Sequence, residues 1–259
     1  EMCIRDSHKL LGNLYAEISF TPDLKLKTSM GIEMGASRYK EFLDPFSSAW
    51  GRNQQGQASY NTSLNYKWIN EEILTYTKKI GDHSFSALAG FVASRYVGES
   101  ANSSIRGFSD NKIHSMNAGT VLNKPSEDYG ASTNASVLGR VTYDYQNKYL
   151  ATVNFRADGS SKFGVNNRWG YFPSFSLGWR LTGEEFMKPL DWLSDLKLRV
   201  GWGQVGNDQV GYYSSYGIYG IGANYNMDGV ILPGYYQSQI GNDKLRWERT
   251  TQTNVGLDF

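Results

Sequence analysis

The stretch "LKLKTSMGIEMG", residues 24–35, decides the fold class. Every second residue is apolar or threonine, and the residues between them are lysine, serine, glutamate and glycine. Because successive side chains of a β-strand point to opposite faces, the pattern predicts a strand with one apolar and one polar face. Its length of about twelve residues exceeds the five or six usual in soluble sheets and is typical of a tilted strand that crosses a membrane.

The same alternation recurs along the chain, at 149–158 ("YLATVNFRAD"), 175–180 ("FSLGWR") and 196–203 ("LKLRVGWG"). In each stretch one face is apolar and the other carries Asn, Arg, Lys, Ser or Gly. We expect Leu26, Met30, Val153, Phe155, Leu198 and Val200 to point to the convex, lipid side. Arg156, Lys197 and Arg199 should point to the concave side, since a shift of one residue would invert the whole pattern.

The connections between these strands alternate in length. Short turns are predicted at 21–23, 81–83 and 146–148, and a brief helical stretch at 183–193. Long polar loops are predicted at 36–57, 96–134, 159–170 and 205–243. Up-and-down barrels of the outer membrane combine short turns at one end with long loops at the other, so we expect all four long loops at one end. Residues 58–80 fit one long strand with a bulge near 69–72.

The composition narrows the class of protein. Aromatic residues make up 14% of the 259 residues and charged residues 20%, and the formal net charge is +1. The charge balance argues against a nucleic-acid partner. No apolar run is long enough for a membrane-spanning helix, and the single cysteine, Cys3, excludes an internal disulfide.

Three glycines, Gly201, Gly203 and Gly206, form the pattern G-x-G-x-x-G directly after a predicted strand. A dinucleotide-binding strand is buried on both faces, whereas Lys197 and Arg199 occupy alternate positions here. The pattern also requires a helix after its last glycine, and the sequence from 207 onward has no helical period. We interpret Gly201 and Gly203 as inward positions that neighbouring backbone, or a plug inside the barrel, must approach closely.

Long segments at 156–181 ("RADGSSKFGVNNRWGYFPSFSLGWRL"), 186–207 and 241–259 resemble the SusC/RagA family of TonB-dependent outer-membrane transporters. The resemblance implies an all-β fold: an antiparallel up-and-down transmembrane β-barrel segment of about nine long strands, an open curved sheet when taken alone. Residues 8–259 would form part of the β-barrel domain of such a receptor, without its plug domain and closing strands. Residues 1–7 ("EMCIRDS") are interpreted as a non-native leader, a sequencing artefact.

The resemblance also implies a function and partners. The complete protein would import large nutrients, oligosaccharides or peptides, across the outer membrane of a Gram-negative bacterium. Its partners would be a SusD-like surface lipoprotein, the TonB complex through the missing plug, the outer-membrane lipid and the glycan or peptide substrate. No enzymatic activity, cofactor, metal or nucleic-acid partner is expected.

Two groups of candidate site residues follow from their positions on the strands. Positively charged side chains on the polar face of the strands are expected to face the lumen and contact the plug or a ligand: Arg140, Arg156, Arg180, Lys197 and Arg199. Aromatic residues near strand ends are expected at the membrane interfaces: Trp169, Tyr171, Phe172 and Trp179. The Tyr-rich loop 212–236 is expected to contact the ligand or the lipoprotein.

Two other classes of protein remain as alternatives. A secreted β-sandwich that binds carbohydrate predicts strands of five or six residues and loops that are not sorted by length. A dinucleotide enzyme predicts a helix after Gly206. The histidines, His8, His83 and His114, are scattered along the chain and are interpreted as turn and loop residues.

Overall fold

A computed structural model describes residues 2–190 and 192–259. Strands make up 66% of the protein and helices 6%, which confirms the all-β prediction. The strands, numbered in chain order, are β1 Met2–Ser19, β2 Leu24–Leu43, β3 Gln57–Ile80, β4 His83–Arg106, β5 Val121–Leu122, β6 Ser126–Tyr145, β7 Tyr149–Ser160, β8 Trp169–Arg180, β9 Lys197–Asn207, β10 Ile218–Ile221, β11 Tyr225–Met227, β12 Val230–Leu232, β13 Tyr235–Gln239 and β14 Glu248–Asp258. The helices are α1 Ala49–Gln54 and three 3₁₀ turns, Met116–Ala118, Leu181–Gly183 and Glu185–Met187.

One ten-stranded sheet organises the chain as an antiparallel meander. Its strand order is β1-β2-β3-β4-β6-β7-β8-β9-β14, with the short β5 paired to β4. Among the described residues, β1 and β14 do not pair with each other, so the sheet is not closed. Two further ribbons, β10-β13 and β11-β12, lie outside this sheet. The nine strands of the main path match the predicted number.

Several strands extend beyond their predicted ends. β2 continues to Leu43 and β4 to Arg106, so the long loops shorten to 44–56 and 107–125. These extensions lack the strict apolar alternation and include charged residues such as Arg38, which pairs with Asp6. Backbone hydrogen bonds of the ladder do not require apolar side chains, and the pattern of apolar residues therefore marks only part of each strand.

The residues fall into two compact units. The first comprises residues up to 14, 30–69 and 95–131. Its core is Phe42, Ala58 and Phe108, at 2%, 2% and 6% exposure. The connections 44–56 and 107–125 meet there, where Phe108 N–H donates to the carbonyl of Gln55 at 2.7 Å. The His114 ring stacks on Phe42 with centroids 4.2 Å apart, so this histidine is a packed loop residue.

The second unit comprises residues 15–29, 70–94 and 132–259. Its short turns are where they were predicted. Gln146 and Asn147 both adopt positive φ, 53° and 56°, the conformation of the two-residue hairpin turns that match strand twist. The connections 161–168 and 208–247 contact each other, as the predicted topology requires for two long loops at one end.

The length alternation fails at one connection. The link from β8 to β9, residues 181–196, is longer than the link from β7 to β8, residues 161–168. It contains two of the 3₁₀ turns, where a brief helix was predicted. Asp191 of that predicted stretch lies outside the described residues. Helical turns fold this link back on itself, so a long connection occurs where a tight turn is typical.

The ladder between β2 and β3 is unbroken where a bulge was expected. Thr28 Oγ1 donates to Glu72 Oε1 at 2.7 Å and Ser29 Oγ to Glu71 Oε2 at 3.2 Å. Consecutive residues of β2 thus meet consecutive residues of β3, with no inserted residue. The interruption in the apolar pattern has another cause: Thr28 and Glu72 are polar residues that pair with each other on an otherwise apolar face.

Residues 2–7 of the predicted leader belong to β1. Asp6 pairs with Arg38 of β2, and the Cys3 thiol is exposed. Glu1 lies outside the described residues. The non-native origin of this segment stays a prediction.

Candidate functional site

The register of β6 to β9 and β14 separates the second unit's sheet into an apolar and a polar face. Val153 pairs with Val141 and Phe175, whereas the next residue, Asn154, pairs with Arg140 and Ser174. Side chains opposite one another in a ladder share a face. The apolar face therefore contains Val153, Phe155, Leu198 and Val200, and the polar face contains Arg156, Lys197 and Arg199, which confirms the predicted alternation.

The apolar face extends onto β3 and is not covered by other described residues. Leu74 and Tyr76 line one groove with Val153 and Phe155. Val153 is 58% exposed and Leu177 55%. Because a soluble protein rarely leaves so continuous an apolar surface in contact with water, this face requires an apolar environment.

The polar face carries a hydrogen-bonded chain across three strands. Arg140 Nε on β6 donates to Asn154 Oδ1 on β7 at 2.6 Å, and Asn154 Nδ2 donates to Ser174 Oγ on β8 at 3.0 Å. The two hydrogen bonds fix the Asn154 amide between the Arg140 guanidinium and the Ser174 hydroxyl. Arg140, a predicted lumen residue, is therefore held in place before any ligand or domain contacts it.

The other predicted cations share this face and also have carboxylate neighbours. Arg156 Nε donates to both oxygens of Asp158, at 2.7 and 2.8 Å, and Arg199 donates to Asp258 at 2.7 Å. Arg180 Nε lies 3.3 Å from Asp195 Oδ1, without hydrogen-bond alignment. Lys197 pairs in the ladder with Arg180 and Asp258. The register brings all five predicted cations to one face.

Three of the four predicted interface aromatics share the apolar face: Trp169, Tyr171 and Trp179. Trp169 and Tyr171 lie at the start of β8 and Trp179 at its end. The Trp179 ring stacks on Tyr149 with centroids 6.4 Å apart, and the Tyr171 ring stacks on Phe155 at 6.2 Å. Aromatic rings thus mark both ends of the apolar face of this strand.

Glu184 binds the polar tips of the aromatic residues at the end of β8. Its Oε1 accepts from Tyr149 Oη at 2.6 Å and from Trp179 Nε1 at 3.1 Å, and Lys148 Nζ lies 3.7 Å from Oε2. The hydrogen bond from Tyr149, followed by that from Trp179, lowers the pKa of Glu184 below its ordinary value. Glu185 pairs instead with Lys188 at 2.6 Å, so these adjacent carboxylates do not form a catalytic pair.

Phe172 does not belong with the interface aromatics. Its partner in the ladder is Arg156, which places it on the polar face. It is 6% exposed and packs edge-on against Trp247, with centroids 5.5 Å apart. Phe172 follows Tyr171 directly, so the alternation of the strand separates two residues that proximity in sequence had grouped.

The sequence analysis missed the residues that surround Phe172. Phe163 is 0% exposed and its ring lies 5.3 Å from Trp247. Ser160, 1% exposed, donates to Asp208 Oδ2 at 3.0 Å. Ser160 and Phe163 lie in "DGSSKFG" and Trp247 in "DKLRWE", segments that carry the family resemblance, and Asp208 directly follows the segment 186–207. The unusual sequence of these segments could have drawn attention to them. Only the tertiary structure shows that they lie close together.

The glycine pattern has a structural explanation. The Phe172 ring lies directly on Gly206, so that position has no room for a Cβ. A Cβ at Gly203 would lie 2.7 Å from Ser174 Cβ, whereas one at Gly201 would meet nothing closer than 3.7 Å. Gly203 and Gly206 therefore permit packing of the polar face. Within the described part of the chain no atom approaches Gly201 closely, and approach of a plug to this position stays a prediction. β9 is followed by irregular structure and short strands, so the helix of a dinucleotide site is missing from this part of the structure.

Within residues 2–190 and 192–259, no cluster of three or more His, Cys, Asp or Glu side chains could hold a metal ion. His83, for example, binds Tyr143 Oη through Nδ1 at 2.7 Å. No helix in the same residues is long and apolar enough to cross a membrane.

Residues 6–259 match the family model described as TonB dependent receptor-like, beta-barrel. The chain belongs to this TonB-dependent receptor family. Among curated relatives, it is 32% identical to TonB-dependent receptor P39 of Formosa agariphila, over 100% of the chain and 25% of the relative. It is also 32% identical to the TonB-dependent receptor SusC of Bacteroides thetaiotaomicron, over 98% of the chain and 25% of the relative. This receptor chain thus spans about a quarter of the length of the curated relatives it matches.

Solved structures support the same assignment of this TonB-dependent receptor chain. The RagAB peptide transporter superposes with a TM-score of 0.86 and 26% identity, over 98% of this chain and 28% of that chain. The siderophore receptor PiuA from Acinetobacter baumannii gives a TM-score of 0.51 at 13% identity, over 98% of this chain and 38% of that chain, which shows a shared fold. The named relatives are receptors and transporters.

Proposed function

We propose that the full-length protein is an outer-membrane importer of a Gram-negative bacterium, in which residues 8–259 form part of the barrel. It takes up oligosaccharides or peptides together with a SusD-like surface lipoprotein, and TonB supplies the energy through a plug domain. The observation that carries this proposal is the two-faced sheet, whose apolar face is exposed and whose polar face is internally hydrogen-bonded.

The apolar face has the height of a membrane. Trp169 and Trp179 are ten residues apart on β8, about 33 Å along a strand at 3.3 Å per residue. At the tilt of about 40° common to transmembrane barrels, this corresponds to about 25 Å, the height of their apolar band. Trp169, Tyr171 and Trp179 therefore fit the two membrane–water interfaces, and the lipid is the partner of the surface between them.

The polar face fits the lumen of a barrel. An arginine or lysine in contact with lipid at mid-depth costs about 2–4 kcal/mol, and this cost is avoided when Arg140, Arg156, Arg180, Lys197 and Arg199 face inward. Their carboxylate and amide neighbours hold several of these cations in fixed positions. We propose that this face contacts the plug; direct contact with the substrate is the alternative.

The relatives favour import over the alternative of a secreted carbohydrate-binding sandwich. SusC is named as a TonB-dependent receptor and RagAB as a peptide transporter. A sandwich would also bury its apolar face between two packed sheets, and the strands here reach 24 residues in one sheet.

Uptake in a deletion strain tests the proposal. The full-length gene is restored with and without the gene of a SusD-like lipoprotein, and import of a fluorescein-labelled oligosaccharide and of a labelled peptide is measured. We expect membrane fractionation to place the protein in the outer membrane. Import of one probe should need both genes and stop when a protonophore removes the energy supply. Recovery of the protein from the culture medium would support the secreted sandwich instead.

A further inference from the structure

A long arm, residues 208–247, connects β9 to β14 and contains the ribbons β10-β13 and β11-β12. These ribbons pair within the arm and not with the ten-stranded sheet. Both ends of the arm contact residues 160–168, which we call the clamp segment. The clamp segment therefore holds the arm at both of its ends.

The first end of the arm is held at Asp208. The buried Ser160 hydroxyl donates to Asp208 Oδ2 at 3.0 Å, and Lys162 Nζ donates to the Asp208 carbonyl at 3.2 Å. One residue thus receives two hydrogen bonds from the clamp segment, one on its side chain and one on its backbone. A buried hydroxyl donor whose acceptor is removed costs free energy, so this contact favours a single position of the arm.

The second end is held at Asp243 and Trp247. Asn167 Nδ2 donates to the Asp243 carbonyl at 2.8 Å, and Trp247 Nε1 donates to the Arg168 carbonyl at 2.8 Å. The Trp247 ring also packs between Phe163 and Phe172, at 5.3 and 5.5 Å. The indole thereby combines an apolar contact with a directional bond, which fixes the place where the arm returns to the sheet.

The far part of the arm presents an exposed aromatic surface. Ladder pairing places Tyr219, Ile221 and Tyr235 on one side of the β10-β13 ribbon, and Tyr235 is 75% exposed. Asp228 is the one charged residue between 209 and 242. A surface of this kind binds with less loss of entropy when its support is rigid.

We infer that Trp247 and Asp208 are positioning residues, which hold the arm so that its tyrosine surface meets the imported substrate. This inference rests on the proposed function for its biological role. The clamp itself stands on the contacts between residues 160–168 and the two ends of the arm.

Spin labels on the full-length transporter measure the arm's position. Cys3 is replaced by serine, and labels are placed at Val230→Cys on the arm and Thr251→Cys on β14, both exposed. We expect a narrow distance distribution that broadens in Trp247→Ala and in Asp208→Ala, which removes the acceptor of the Ser160 hydroxyl. Trp247→Phe should retain most of the narrow distribution through ring packing. Trp192→Ala, at a tryptophan that is 78% exposed, should leave it unchanged.

The second readout is uptake of a labelled probe. The probe is the one, oligosaccharide or peptide, that the deletion strain fails to import. Loss of a preorganised arm should raise the half-saturation concentration about tenfold and leave the maximal rate and the amount of folded barrel unchanged. An unchanged distance distribution in Trp247→Ala would overturn the inference. If both probes enter the deletion strain normally, the proposed function fails, while the spin-label result still decides whether the clamp exists.

Discussion

At the scale of single residues, side chains at this site are fixed by neighbours on other strands. Arg140 is a lumen candidate by its alternation alone, but its bonds to Asn154 depend on the register of β6 and β7. The Glu184 carboxylate likewise depends on other strands, because it accepts hydrogen bonds from Tyr149 on β7 and Trp179 on β8. Its lowered pKa and the close packing at Gly206 give two tests.

The Glu184 carboxylate should make stability depend on pH. Its pKa is lower in the folded protein, so its stabilising effect is present above the ordinary pKa and is lost as the pH falls through the folded value. Glu184→Gln should therefore reduce the free energy of unfolding of the full-length protein at neutral pH and match the native protein in acid. Urea unfolding in liposomes across this pH range measures the difference. Asp228→Asn on the arm is the control, and a difference that persists in acid would contradict the assignment.

Gly206 should not accept a larger residue. Gly206→Ala forces the Phe172 ring to move, and overpacking of this kind costs about 1–3 kcal/mol. Gly201→Ala, where no atom lies within 3.7 Å of the added Cβ, should be tolerated. Urea unfolding compares the two variants. Adding Phe172→Leu to Gly206→Ala should restore part of the loss; equal effects of the two alanines would show that the ring contact is unimportant.

At the scale of elements, alternation along a strand assigns each residue to a face, and this was predictable for β7 and β9. The ends of strands were less predictable, because β2 and β4 continue past the stretch in which apolar and polar residues alternate. The break in β3 was assigned to a bulge, although Thr28 and Glu72 form a polar pair in unbroken register. A polar side chain on the apolar face and an inserted residue both interrupt the alternation of apolar residues, so the sequence does not distinguish them.

Substitution on the two faces of β7 tests the assignment of lipid and lumen. Val153→Arg should destabilise the full-length barrel by about 2–4 kcal/mol, the cost of arginine on a lipid face at mid-depth. Thr152→Arg, next to it in sequence but opposite Thr142 and Ser176 on the polar face, should have a smaller effect. Unfolding in lipid vesicles measures both. A larger loss of stability in Thr152→Arg than in Val153→Arg would show that the lipid and lumen faces are assigned the wrong way round.

At the scale of the whole molecule, an unclosed sheet with an exposed apolar face is stable neither in water nor in lipid. Water is unfavourable for the apolar face, and lipid is unfavourable for the unpaired backbone groups of β1 and β14, each of which costs several kcal/mol there. The structure by itself therefore implies that the 259-residue chain depends on further strands for stability.

Expression of the 259-residue chain alone should give aggregates or material that needs detergent, with no conductance in planar bilayers. Sedimentation and bilayer recordings measure these outcomes, and the full-length protein refolded in parallel is the positive control. A monodisperse monomer that unfolds cooperatively without detergent would contradict this expectation and favour a soluble β-sandwich.

The sequence by itself determined the fold class, the faces of the strands and the family, because alternation and long motifs are local properties of the chain. The tertiary structure alone decided which residues from distant segments meet. Phe172 was grouped with Tyr171 by proximity, but its ring turns to the opposite face and packs on Trp247. Asp208 and Ser160 are far apart in sequence and meet because β7 and β9 flank β8. Such contacts depend on strand order and on how loops return to the sheet, which no local pattern records.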